Sequence, residues 1–155
     1  HALPRVSKIM VAAGVGKRKA EANFLEDVEK GLTYLTGQRP AARRARKSIA
    51  GLKVREGTVV GLVVTLRGRR MEDFLARLLR IALPRVRDFQ GIPLAAVDHS
   101  GNLSLGLKEA VVFPEVDPAV IGTPFGLEVT IVTTARSRAD SLALFKALDF
   151  PFAER

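Results

Sequence analysis

Three groups of residues in this chain have types that could carry out catalysis or grip a small ligand. Gly14, Gly16 and Lys17 in "VAAGVGKRKA" resemble the start of a phosphate cradle. A P-loop needs G-x-x-x-x-G-K-[ST], because a glycine-started turn aims backbone N–H groups at phosphates and a hydroxyl holds magnesium. With Gly16 and Lys17 in the G-K positions, the first glycine falls at Val11 and the hydroxyl at Arg18, both unsuitable. The third glycine of a dinucleotide fingerprint is also missing. Asp98, His99 and Ser100 have the residue types of a hydrolase triad, but consecutive residues cannot converge on one another, and a Gly-terminated turn fits them better. His1 and His99 are the only histidines and there is no cysteine, so a transition metal would depend on carboxylates. Glu109, Glu115 and Asp117 read as solvated loop charge more readily than as an acid–base pair. No enzyme activity, cofactor or metal is expected.

The cations have more content. Arg39, Arg43, Arg44, Arg46, Lys47, Lys53 and Arg55 fall within seventeen residues, and Lys17, Arg18 and Lys19 follow the Gly14–Gly16 turn. Arginine's planar fork suits phosphate oxygens, and seven such contacts would give a log K against log salt slope of roughly −5 to −6. Gln38, Ser48, Thr65 and Arg67 are the groups that could add selectivity. Thr65 is equally a good strand residue, and Gln38 equally a turn residue.

The charge is unevenly placed. Residues 1–90 hold 20 Lys and Arg against 8 Asp and Glu, whereas residues 91–155 hold 5 against 8. Such asymmetry points to a polyanion on one side of the molecule, nucleic acid ahead of a membrane surface. The length suits one domain over residues 1–155. The longest apolar run, "TVVGLVVTL", is far short of the roughly 20 residues of a membrane helix.

Elements that could position these groups follow from periodicity. "RVSKIMVAA" alternates as a strand with Ile9 and Val11 inward and Lys8, Met10 and Ala12 on the other face. Leu25, Val28, Leu32 and Leu35 give an amphipathic helix from about Glu21 to Thr36, ended by Gly37. A short edge strand and a Gly-bounded loop follow. In "TVVGLVVTLRG", Val60, Leu62, Val64 and Leu66 point one way, and Val59, Gly61, Val63, Thr65 and Arg67 the other. Met71, Phe74, Leu75, Leu78, Leu79 and Ala82 form the next helical stripe, with Glu72 and Asp73 near its start and Pro84 as its stop. "GNLSLGLKEAVVF" and "GLEVTIVTT" read as strands. Ser137 and Asp140 begin a last helix whose buried side is Leu142, Phe145 and Leu148. The fold class is α+β, a mostly antiparallel or mixed sheet with helices on one face and the other face open. Tyr34 and most of the eight phenylalanines fall at buried positions, so a stacking platform for unpaired bases is not expected, and structured RNA is the better target.

At "ARKSIAGLKVREG…VTLRG", "LPRVRDFQGI" and "FGLEVTIVTTA…LDFPF" the chain resembles the bacterial large-subunit ribosomal proteins that bind 5S ribosomal RNA, the L-five family, from "LPRVSKI" to its C terminus. The resemblance implies a non-enzymatic protein of the central protuberance, bound to 5S and large-subunit ribosomal RNA. It carries RNA contacts onto Gln38, Arg39, Pro40, Arg43, Arg44, Arg46, Lys47, Ser48, Thr65 and Arg67. It also implies that the loop Gly51, Leu52, Lys53, Val54, Arg55, Glu56 and Gly57 reaches the elbow of transfer RNA in the peptidyl site. The connection around Arg87–Asn102 would meet a small-subunit head protein across the intersubunit bridge. The implied location is the ribosome, cytoplasmic or organellar. Three departures stand out. Ala12 replaces the family's usual Asn, "DHSGN" replaces "DGRGN" with loss of an arginine, and the family's additional N-terminal helix is not expected. Two other readings stay open at this point: a free-standing RNA-remodelling protein of the same fold, and an enzyme acting on RNA phosphates with Glu56 as its acid.

Overall fold

A computed structural model describes residues 3–16, 21, 23–46 and 56–153. The elements in chain order are β1 (Val6–Gly14), α1 (Phe24–Thr36), β2 (Ala41–Arg44), β3 (Val59–Leu66), α2 (Gly68–Arg77), β4 (Leu103–Leu107), β5 (Leu127–Thr133) and α3 (Arg138–Ala147). The five strands form one sheet in the order β2-β3-β1-β5-β4, and every neighbouring pair is antiparallel. This is the expected α+β architecture.

Alternation in the strands decides which face is covered. Ile9, Val11 and Ala13 of β1, Leu62, Val64 and Leu66 of β3, and Leu127, Val129 and Ile131 of β5 are buried. They share one core with Phe24, Val28, Leu32 and Leu35 of α1, Phe74 of α2 and Phe145 of α3. The helices therefore lie against one face of the sheet.

One register differs from strict alternation. β2 and β3 shift register between Arg43 and Arg44, with Arg43 opposite Gly61 and Arg44 opposite Val59. The extra residue is a β-bulge, which reverses the facing of what precedes it. Val59 thus packs against the core, and Val60, expected inward with Leu62, is the extra residue, unpaired with β2, and is not among the residues packed on the core.

Other boundaries also move. α2 starts at Gly68, so Glu72 and Asp73 lie beyond its first turn, which contains no acid. Its end widens into a π turn, Leu78–Ala82, and Pro84 sits inside a 3-10 turn, Leu83–Arg85, rather than stopping the helix. This keeps Leu78, Ala82 and Leu83 all buried. β4 ends at Leu107, and Ala110–Val112 form a 3-10 turn, not more strand. Leu148 is 38% exposed, because the chain reverses at Asp149 (φ 63°) and turns Phe150 inward in its place. Tyr34 is 51% exposed on α1, in the helical layer. No described helix is long and apolar enough to cross a membrane.

Gly31 marks the tightest approach of α1 to the connection before β5. A Cβ there would lie 2.7 Å from the Phe125 ring. Gly31→Ala is expected to destabilise the fold by about 1–3 kcal/mol through overpacking. A urea titration with an unchanged midpoint would contradict this packing.

Candidate nucleic-acid interface

The face opposite the helices carries the candidate residues in rows set by strand register. In one row Thr65, Met10, Thr130 and Ser104 stand side by side across β3, β1, β5 and β4. The next runs Ala41, Val63, Ala12, Glu128 and Gly106, and a third begins Arg43, Gly61 and Gly14. Much of the floor has small side chains or none. Gly61 fits closely there, since a Cβ would lie 3.1 Å from the Ala13 carbonyl oxygen. A trough of about 720 Å³ results, with Arg43 on one wall and Lys108 on the other.

The Gln38 turn is pinned to this face. Gly37 closes α1 in the left-handed region (φ 73°), its N–H donating to the Thr33 carbonyl. The chain is thereby aimed so that Gln38 Nε2 donates to the Thr65 carbonyl at 3.2 Å. Two residues 27 apart in sequence thus meet at one corner of the sheet. Arg39 pairs with Glu29 at 3.3 Å with its side chain 86% exposed, a contact worth little in water and readily exchanged for a phosphate. Arg43 and Arg46 are exposed and have no carboxylate partner among the described residues. Arg44 Nη1 donates to the Gly57 carbonyl at 3.0 Å, so part of its donor set holds the β2–β3 connection.

The β3 end adds further positive charge. Arg67 is extended and precedes α2 without supplying a side-chain cap. The first turn of α2 then carries exposed Arg69 and Arg70. Acids are the usual complement of that helix end, so two exposed cations there cost stability that a bound anion would restore. Sequence reasoning passed over Arg69, Arg70 and Lys108, although "TLRGRR" was a visible signal for the first two.

Ala12, at the position where the resemblance implies Asn, sits between Val63 and Glu128. Its methyl leaves the floor of the trough without a polar group at that point. Lys17, Arg18, Lys19, Lys47, Ser48 and the loop residues Gly51, Leu52, Lys53, Val54 and Arg55 lie outside the described residues. The ends of that loop are held by Gly57 N–H donating to the Ala45 carbonyl and Ala45 N–H to the Thr58 carbonyl.

A small-nucleotide cradle is disfavoured by hydrogen bonding as well as by motif. The N–H groups of Val15 and Gly16 both donate to the Val60 carbonyl, at 3.0 and 3.3 Å, and are taken up within the sheet. Asp98, His99 and Ser100 form an exposed turn. Asp98 Oδ1 accepts from Asn102 N, and the Gly101 carbonyl accepts from Thr133 Oγ1 and Ser141 Oγ. Glu115 pairs with Arg77 at 3.1 Å. No cluster suited to a metal ion occurs among the described residues. The arrangement suits binding of a large polyanion by a flat, cation-rimmed face.

Comparison with known proteins agrees with this chemistry. Residues 59–152 match the family model for the C-terminus of the ribosomal L5 family, and residues 1–55 match the model for Ribosomal protein L5. The chain is 46% identical over 154 residues to the large ribosomal subunit protein uL5 of Acaryochloris marina (strain MBIC 11017), covering 99% of this chain and 85% of that protein. The two matched segments share one sheet, since β1 of the first lies between β3 and β5 of the second.

Proposed function

The chain belongs to the ribosomal L5 family of structural, non-enzymatic large-subunit proteins, and from that premise we propose that its open sheet face holds 5S ribosomal RNA. The observation that carries this reading is the corner where Gln38 meets Thr65, with exposed Arg39 next to Gln38 in the chain, exposed Arg67 two residues past Thr65, and exposed Arg43 farther along the same face opposite Gly61. Cations there can neutralise phosphates without first breaking strong internal pairs, while the amide and hydroxyl can discriminate among RNA shapes. Gln38, Arg39, Arg43, Arg44, Arg46, Lys47, Ser48, Thr65 and Arg67 form this contact set, and Lys17, Arg18 and Lys19 extend it beyond the end of β1. The whole chain from 1 to 155 acts as one domain, consistent with its single shared core.

Two further contacts belong to the same proposal. The loop from Gly51 to Gly57, in the connection flanked by the hydrogen-bonded residues Ala45, Gly57 and Thr58, extends to the elbow of transfer RNA in the peptidyl site. The Arg87–Asn102 connection, held at its end by the Gly101 hydrogen bonds, meets a small-subunit head protein. The protein accordingly works on the ribosome, in the cytoplasm or an organelle.

The test is equilibrium binding of the pure protein to a 5S ribosomal RNA transcript and to a transfer RNA across a salt series. The 5S transcript is expected to bind at least about tenfold tighter, with a log–log slope of roughly −5 to −6. Equal affinity for both RNAs would remove the assignment to 5S RNA.

A further inference from the structure

The open face holds a group that a purely phosphate-binding surface would not have. Glu128 stands exposed in the trough on β5, one strand in from the β4 edge, with Ala12 on one side and Gly106 on the other. Its carboxylate has no hydrogen-bond or ion-pair partner among the described residues. Neither cation of the trough forms an ion pair with it: Arg43 belongs to β2, three strands away at one edge of the sheet, and Lys108 follows β4, the neighbouring strand at the other edge, without contacting the carboxylate. Those edges are four strand spacings apart, roughly 19 Å.

A carboxylate repels phosphate, so an RNA backbone does not run over Glu128 on β5. A carboxylate accepts hydrogen bonds, so donors belong there. The minor groove of an A-form duplex has this pattern: two backbones flank a wide, shallow surface of base edges and 2′-hydroxyls. Guanine presents its N2 amino donor on the minor-groove side.

We propose that Glu128 is a specificity-determining residue: its carboxylate accepts hydrogen bonds from guanine N2 and a neighbouring 2′-hydroxyl of an RNA duplex whose backbones rest on Arg43 and Lys108. This rests on the reading of the open face as the RNA-binding face, and names the element of RNA structure that the face takes. The low side chains at Ala12, Gly106 and Gly14 are what let a base edge descend to the carboxylate.

Glu128→Gln separates this from a merely tolerated surface charge, because the two have opposite signs. Removing an acid from a polyanion-binding face raises affinity if the acid only repels. It lowers affinity if the acid accepts donors. Binding should be measured for a short G·C RNA duplex and for the same duplex with inosine in place of guanosine, which deletes only the N2 amino group. The expected result is roughly tenfold weaker binding of the G·C duplex by the Gln variant, with a matching loss from inosine in the original protein and little further loss when both changes are combined. Unchanged or tighter binding by Glu128→Gln, or indifference to inosine, would overturn the proposal. Arg43→Ala and Lys108→Ala, measured alongside, test the face itself. If they weaken duplex binding while Glu128→Gln tightens it, the face stands and only the role of Glu128 falls. If neither weakens binding, the reading of the face fails with it.

Discussion

Charge reversal of Arg43 and Arg67 together is expected to lower affinity for 5S ribosomal RNA by two to three orders of magnitude, about 3–4 kcal/mol. Both side chains are exposed, and neither has an acidic partner among the described residues. Their phosphate contacts would thus be lost outright, and two new anions would repel the backbone. The salt dependence should fall with the affinity, its slope flattening by about 2 as two counterion-releasing contacts disappear. Net charge alone predicts something else. Lys30 and Arg80 are also exposed cations, but Lys30 lies on α1 and Arg80 in the π turn after α2, both in the helical layer. Reversing that pair alters the formal charge by the same amount and should change affinity less than about threefold, since more than a Debye length of screened solvent separates distant surface charges from the RNA. Equal losses from the two pairs would mean that the protein binds by its total charge.

The largest effect on stability is expected at Gly91, far from the basic corner. Gly91 has φ 110°, and a Cβ there would lie 2.6 Å from the Ala153 nitrogen and 2.8 Å from the Phe152 carbonyl carbon. The close approach comes from a clasp in which Ile92 N–H donates to the Pro151 carbonyl at 2.7 Å and Ala153 N–H to the Ile92 carbonyl at 2.8 Å. The clasp seats Phe150 and Phe152 beside Phe145, with ring centroids 4.7 and 6.4 Å from it. Gly91→Ala combines a strained backbone with a clash against main chain that has no rotamer to move away. It should destabilise the fold by about 3 kcal/mol, roughly 6–12 °C in melting temperature for a chain of this size. A thermal melt that matches the unsubstituted protein would show that the clasp is not held as described.

The sheet was legible because both its faces follow a period of two. Ile9, Val11, Leu62, Val64, Val129 and Ile131 form one parity set that is wholly apolar, whereas the opposite set includes Lys8, Thr65, Glu128 and Thr130, so only the first can be buried. The bulge was not legible. Val59 and Val60 are identical in type, so no pattern marks the extra residue, and only pairing with Arg43 and Arg44 reverses their faces. The run after Leu107 misled for a related reason: "AVV" is apolar whether it continues a strand or turns into the core, and tertiary packing decides between them. Tyr34 and Leu148 fit helical stripes whose edges reach solvent, since a stripe defines a direction but not the extent of the covering layer. At the site, the arginines between Arg39 and Arg46 were visible as a charge run. The meeting of Gln38 with Thr65, and of Glu128 with Ala12 and Gly106, depends on contacts between distant strands that no local spacing encodes.

The central claim is that RNA lies on the open sheet face and not on the helices. The absence of cysteine permits a direct measurement, because a single introduced thiol can carry a tethered iron chelate that cleaves nearby RNA. Ser104 is exposed on the open face beside Thr130, and Ala143 is exposed on α3 in the helical layer. With Ser104→Cys and Ala143→Cys each bound to 5S ribosomal RNA, strong, localised cleavage is expected from position 104 and only background from position 143. Cleavage from 143 with none from 104 would contradict that claim.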